Sequence, residues 1–272
     1  MNYLTLFLTE QCNRKCEYCD ISKIENKKKP NKPTVRKFIP LIKKSSWSNI
    51  VLTGGEVSLI DPLLLDFIMT ELKDKILKIN TNGLWFKFGH FKKYYEITDY
   101  IQYHPISEIN EHFEPIIDKK ITYYFPIHKK NIDYLDDFLN RNRNLVIRLA
   151  PYDMKYLNNK YLLSVGDFTE ISRIIGKYGN ITTDTKKMFD FLSRNNDLTL
   201  LKKMCFYPSI DFVNCRINKC IKSHSLSTWI SLTEENFNNM EQLKYTKDSM
   251  CDYCHMFVRD FETIIRKLVC SD

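Results

Sequence analysis

Alanine occurs once in the 272 residues, at Ala150, and glycine only seven times. So little glycine excludes glycine-repeat architectures, and no internal repeat or low-complexity tract is evident. Long apolar runs are also missing. The longest, such as "LLLDFIM", fall far short of the roughly 20 residues that span a bilayer. No basic-then-apolar leader stands at the start, where residues 3–8 read as a strand. These absences lead to the expectation of a cytoplasmic protein without a membrane partner. In a reducing compartment the nine cysteines point to metal or catalytic thiols rather than disulfides.

What is present is basic and aromatic. The net charge is +8, and lysine, asparagine, isoleucine, phenylalanine and tyrosine abound. The densest basic run, "KIENKKKPNKPTVRK", reads as a solvated loop, with a phosphate-contacting patch as the alternative. An apolar fraction of 43% supports a sizeable core. Short apolar strands are expected at 3–8, 48–53, 76–82, 99–104, 120–127 and 144–150, the last stopped by Pro151. Helical stretches intervene, from about Thr34 to Lys44, from Asp61 to Leu72, and over "NIDYLDDFLN". This rhythm predicts an α/β fold, a partial (β/α)6 TIM-like barrel over residues 1–200, with its chemistry beyond the carboxyl ends of the strands. Over 201–272 the rhythm is lost and six of the nine cysteines appear, so a small metal-organised subdomain is expected there. "SIDFVN" and "TWISL" are its candidate strands.

Cys12, Cys16 and Cys19 are spaced C-x3-C-x2-C directly after the first strand. Zinc usually takes four ligands, and the loop offers no fourth Cys or His. A four-iron cube held by three cysteines keeps one iron open to bind a small molecule. A structural zinc loop is the competing reading.

"CNRKCEYC", with Tyr18 before its last cysteine, then "LTGGEVSL" after the second strand and "NTNG" after the third, resembles the radical S-adenosylmethionine (SAM) superfamily. The resemblance implies that Cys12, Cys16 and Cys19 ligate a 4Fe–4S cluster that reductively cleaves SAM, giving a radical that removes hydrogen from an unactivated carbon. It assigns Gly54 and Gly55 to close backbone approach to the methionine moiety, and Glu56 to its amino group. Thr81 and Asn82 would contact ribose or carboxylate. Gln102 stands where the family often has a small hydroxyl residue. Arg148 would reach the methionine carboxylate, or else form a barrel-wall ion pair. Strand-ending turns are the plain alternatives for Gly54-Gly55 and Asn82-Gly83.

"CFYPSIDFVNCRINKC" followed by "CDYC" resembles the shortened auxiliary-cluster (twitch or SPASM-like) module of some members. Cys205, Cys220, Cys251 and Cys254 would hold a second 4Fe–4S cluster, with a four-cysteine zinc knot as the alternative. Cys215 stands at a hairpin position usually held by glycine. It is open as ligand, hydrogen donor to a substrate radical, or small turn residue. The implied substrate is a short peptide or small polar metabolite, the lysine-rich run leaves RNA as a third choice, and the implied electron donor is a protein such as flavodoxin or ferredoxin. Peptide epimerisation or cross-linking and dehydrogenation are the implied outcomes. A non-catalytic iron–sulfur or zinc protein is the rival class.

Overall fold

Each strand of the first sheet is short, and each is followed by a loop and a helix with one apolar stripe. In the computed structural model the described residues are 3–16, 19–106, 109, 111–151, 163–194, 209–218 and 230–240. Four parallel strands come first: β1 (Tyr3–Phe7), β2 (Asn49–Thr53), β3 (Ile76–Thr81) and β4 (Tyr100–Tyr103). Between them lie α1 (Lys32–Lys44), α2 (Pro62–Glu71) and two single turns, α3 (Leu84–Lys87) and α4 (His90–Lys93). Asn31 opens α1 by accepting the Thr34 N–H, and Asp61 opens α2 by accepting that of Leu64, each followed by a proline in the first turn. Because Asn31 caps, α1 starts at Lys32, two residues before the expected Thr34.

The register places Leu4, Ile50 and Leu77 in one row and Leu6, Leu52, Ile79 and Ile101 in the next, all essentially inaccessible. Each such side chain contributes about 1.5–3 kcal/mol on burial. The other face is mixed, carrying Thr5, Val51, Lys78 and Tyr100 in one row and Phe7 and Thr53 in the next. These strands are therefore two-faced rather than uniformly apolar, which their short runs concealed.

The chain forms two compact units, Met1–Tyr103 with Phe206–Asp248, and His104–Cys205 with Ser249–Asp272. The second contains the parallel pair β5 (Ile121–Ile127) and β6 (Ile147–Pro151), with α5 (Leu135–Arg141), α6 (Val165–Gly176) and α7 (Thr183–Arg194). Pro151 does not stop β6 but closes it, in register with Ile127. The strand also begins later than expected, because Leu145 N–H turns back to the Asn142 carbonyl. "NIDYLDDFLN" divides into a 3₁₀ turn (Ile132–Tyr134) and α5. Asn131 is held at the head of this segment, accepting the His128 N–H and donating to the Pro126 carbonyl.

A hairpin completes the first unit. β7 (Ser209–Asp211) runs parallel to β1 on the side away from β2, and pairs antiparallel with β8 (Arg216–Asn218). β9 (Ile230–Ser231) follows β8, and the short α8 (Glu234–Asn238) comes last. β7 and β8 flank Cys215, the position expected at a hairpin turn; "SIDFVN" is a strand over Ser209–Asp211, and the described part of "TWISL" holds a strand over Ile230–Ser231. The Asp211 carboxylate fixes the turn by accepting N–H groups of Val213 and Asn214 and the Asn214 and Arg216 side chains. Among the described residues other than glycine, Cys215 alone has a positive φ, at 52°.

The left-handed conformation explains why glycine suits position 215. It costs a side chain roughly 1–2 kcal/mol, against about 0.5–1 kcal/mol for the greater unfolded-state freedom of glycine. Cys215→Gly is expected to be at least as stable as the parent. Cys215→Val is expected to lose about 1–2 kcal/mol, because branching at Cβ is worst in this region. Urea midpoints at unchanged slope measure both; a Val variant as stable as the Gly variant contradicts this account.

Candidate active site

The loops beyond the carboxyl ends of β1, β2 and β3 meet through backbone. After β1 the chain stays extended alongside the end of β2: Leu8 N–H donates to Thr53 O (2.8 Å), Gly55 N–H to Thr9 O (2.6 Å), and Glu56 N–H to Gln11 O (2.7 Å). A Cβ on Gly54 would lie 2.4 Å from Thr9 O, and one on Gly55 2.1 Å from Gln11 O. Gly54 also has φ +140°. Both glycines are thus required by the approach of the cysteine loop itself, a partner that strand-by-strand reading did not identify.

From Gln11 onward the loop folds on short-range bonds. Cys19 N–H reaches Cys16 O (3.1 Å), and the Ser22 hydroxyl shares its one hydrogen between Cys16 O (2.8 Å) and Cys19 O (2.6 Å). Its return is pinned by the buried Glu10, which accepts Lys28 N–H at 2.9 Å while its own N–H donates to Lys28 O. Cys12, Cys16 and Cys19 form no disulfide among the described residues and are partly exposed. Burial pushes the Cys19 thiol up, and the neighbouring Cys16 and Cys12 add to the shift. A cation bound at the loop would supply the charge that lets the Cys19 thiol ionise and ligate.

Glu56 is fully buried, and its carboxylate joins the second loop to the third. Oε1 accepts Ser58 N–H (3.1 Å), Ser58 Oγ (2.7 Å) and Thr81 Oγ1 (2.9 Å). Oε2 accepts Asn82 N–H at 2.7 Å and lies 3.0 Å from Thr81 Oγ1. Protein donors therefore occupy the lone-pair positions of both oxygens. Asn82 then reaches the first loop: Nδ2 lies 3.5 Å from Cys12 Sγ and 2.8 Å from Asn13 Oδ1. Asn82 Oδ1 is buried and has no partner among the described residues. Gly83, at φ +115°, turns the chain where a Cβ would lie 3.2 Å from the Tyr103 ring.

Of the residues expected at the site, Cys12, Cys16, Cys19, Gly54, Gly55, Glu56, Thr81 and Asn82 are brought together. Gln102 is buried on β4 in register with Asn80, whose amide donates to Thr53 Oγ1 at 3.2 Å. The residue packed on Gly83 is its neighbour Tyr103, since adjacent strand residues face opposite ways. Arg148 is buried in β6 of the second unit, in register with Tyr124. Cys215 Sγ lies 3.4 Å from Thr34 Oγ1 of α1. Tyr18, Cys205, Cys220, Cys251 and Cys254 lie outside the described residues. Ser22, Ser58 and Tyr103 were not anticipated; of these only Ser58, two residues after Glu56, carries a local signal, as a donor in reach of a carboxylate cap.

Three thiols on one loop fit a cube that takes three cysteines, and the orphaned Asn82 Oδ1 fits a ligand bearing a donor. Among the described residues no three His, Cys, Asp or Glu side chains gather closely enough to hold a single metal ion. In a cube each cysteine binds a different iron, so one shared point is not required. No helix among the described residues is long and apolar enough to cross a membrane.

Residues 6–139 match the family model described as Radical SAM superfamily. No curated protein matches the chain. Among solved structures, native anSMEcpe with bound AdoMet and Cp18Cys peptide is similar at a TM-score of 0.58 and 13% identity, over 94% of this chain and 87% of that one. SuiB of Streptococcus suis bound to S-adenosylmethionine is similar at 0.57 and 14%, over 96% and 74%. These likenesses establish the fold.

Gly55→Ala is expected to destabilise the protein by at least about 2 kcal/mol, because the methyl meets backbone that cannot step aside. It should also unseat the cysteine loop, so that iron uptake on anaerobic reconstitution falls with it. Normal stability and iron content in this variant would refute the backbone-approach account.

Proposed function

We propose, since this chain belongs to the radical SAM superfamily, that it is an enzyme using SAM and a 4Fe–4S cluster to modify an unactivated C–H bond of a short peptide. The observation that carries the reading is the buried carboxylate of Glu56, which holds the GGE turn and the NTNG turn against the cysteine loop. Cys12, Cys16 and Cys19 are the cluster ligands. When bound, the cluster and SAM supply a 5′-deoxyadenosyl radical that takes a hydrogen atom from the substrate.

The residues of the chain bind and position. Glu56, its oxygens already occupied by protein donors, is a positioning residue rather than a direct contact for the SAM ammonium. Asn82 Oδ1, buried without a partner among the described residues, is the acceptor available to a donor on SAM. Thr81 fixes the turn that carries it, through Glu56 on one side and the Gly83 N–H on the other. A peptide substrate is favoured over a polar metabolite because the similar anSMEcpe structure holds a peptide. A flavodoxin- or ferredoxin-type protein would supply the electron. Cys205, Cys220, Cys251 and Cys254 are assigned to an auxiliary 4Fe–4S cluster, and Cys215, in its strained turn, to a structural position.

Anaerobically reconstituted protein given SAM and dithionite is expected to release 5′-deoxyadenosine, and Cys16→Ala to abolish it. An iron-loaded sample that leaves SAM intact argues instead for a passive metal protein.

Metal content separates the auxiliary cluster from a zinc knot. Two cubes require about eight irons per chain, whereas one cube and a knot require about four with one zinc. Anaerobic purification followed by metal analysis is expected to give the former; one equivalent of zinc would overturn it.

A further inference from the structure

We infer that Asn82 is a hydrogen-bond donor to the cluster ligand Cys12 and thereby sets the reduction potential of the cluster. This rests on the reading that Cys12, Cys16 and Cys19 carry a 4Fe–4S cluster. It gives Asn82 a task distinct from holding SAM.

Among the described residues the Cys12 sulfur faces two N–H groups. One is local, the Arg14 backbone N–H at 3.4 Å. The other comes from the end of β3, where Asn82 Nδ2 stands 3.5 Å away. A ligating thiolate carries no proton and can only accept, so both contacts are of the correct polarity once Cys12 binds iron. The orientation of the amide is fixed by its surroundings. Its NH2 group has two acceptors on the cysteine loop, Cys12 Sγ and Asn13 Oδ1, whereas Oδ1 is the atom without a partner among the described residues. Reversing the amide would set an oxygen against the sulfur and against Asn13 Oδ1.

The backbone beneath Asn82 is held on both sides. Its N–H is fixed to Glu56 Oε2, and the next residue, Gly83, is in a left-handed turn beneath the Tyr103 ring. The donor is therefore positioned by buried groups before any cluster arrives.

The electronic consequence follows from charge. Reduction adds an electron that is shared with the cluster's sulfurs, and an N–H dipole aimed at a ligand sulfur stabilises the more negative state. Hydrogen bonds to sulfur accordingly raise the potential. A cluster raised in this way is easier to charge from a protein donor and gives its electron to SAM less forcefully. Asn82 stands where that balance is adjusted: one end of its amide faces the cluster ligand, and the other is available to SAM.

The experiment is a redox titration of anaerobically reconstituted protein without SAM, following the electron paramagnetic resonance signal of the reduced cluster. That cluster is identified as the one whose signal changes when SAM is added. Asn82→Ala removes the donor, and Asn82→Asp removes it while keeping side-chain size and the backbone bond to Glu56. Both are expected to shift the midpoint to more negative values, Asn82→Asp further because it adds a negative charge. Fully iron-loaded variants with the wild-type midpoint would overturn the inference.

A second measurement needs no variant. Protein labelled with ¹⁵N-asparagine should show electron–nuclear coupling between an amide nitrogen and the SAM-sensitive reduced cluster. Absence of that coupling overturns the inference even where the variants fail to load iron. A wild-type protein that takes up no cluster brings down the underlying functional reading, and this inference with it.

Discussion

One buried carboxylate determines how the three loops of the site are arranged. Glu56 lies at zero exposure, and a carboxyl group there is tolerated because protein donors satisfy its oxygens. Those donors are Ser58 from the same turn, and Thr81 and Asn82 from the end of the next strand. The cysteine loop is held to the Glu56 turn by backbone bonds at Thr9 and Gln11. Removing one donor would leave a buried oxygen unsatisfied, so the loops share one geometry rather than adjusting independently.

Much of this was legible from short motifs, because each occupies a few consecutive residues at a strand end. The C-x3-C-x2-C spacing, the glycine pair in a glycine-poor chain and the NTNG turn each announced a loop with a special task. Their partners were not legible. That Gly54 and Gly55 give way to Thr9 and Gln11 depends on how β1 lies against β2, a pairing across more than forty residues. The network of Glu56 with Thr81 likewise needs the β2–β3 register. Gln102 and Tyr103 illustrate the limit: a difference of one residue decides which face of β4 a side chain occupies.

At fold level the strand–helix rhythm conveyed the α/β class, while strand ends were set by local chemistry that apolar runs do not encode. Pro151 looked like a terminator and instead closes β6 at its last pair. The hairpin β7–β8 was half hidden because its turn is specified by Asp211, a polar residue inside an apolar run, and because cysteine replaces the glycine that would have marked the turn.

The pairing of β7 with β1 bears on the order of assembly during synthesis. β1 precedes β7 by about two hundred residues, so one of its edges stays open until Ser209–Asp211 have emerged and can dock on it. Phe212 strengthens this late closure, donating its N–H to Phe7 O and accepting from Asn31 at the head of α1. On the ribosome the nascent chain thus carries an uncovered strand edge directly before its three thiols until β7 has been made. Metal delivered before that edge closes would meet a loop whose supporting strand is still unpaired on one side. Delivery after closure would meet the finished scaffold.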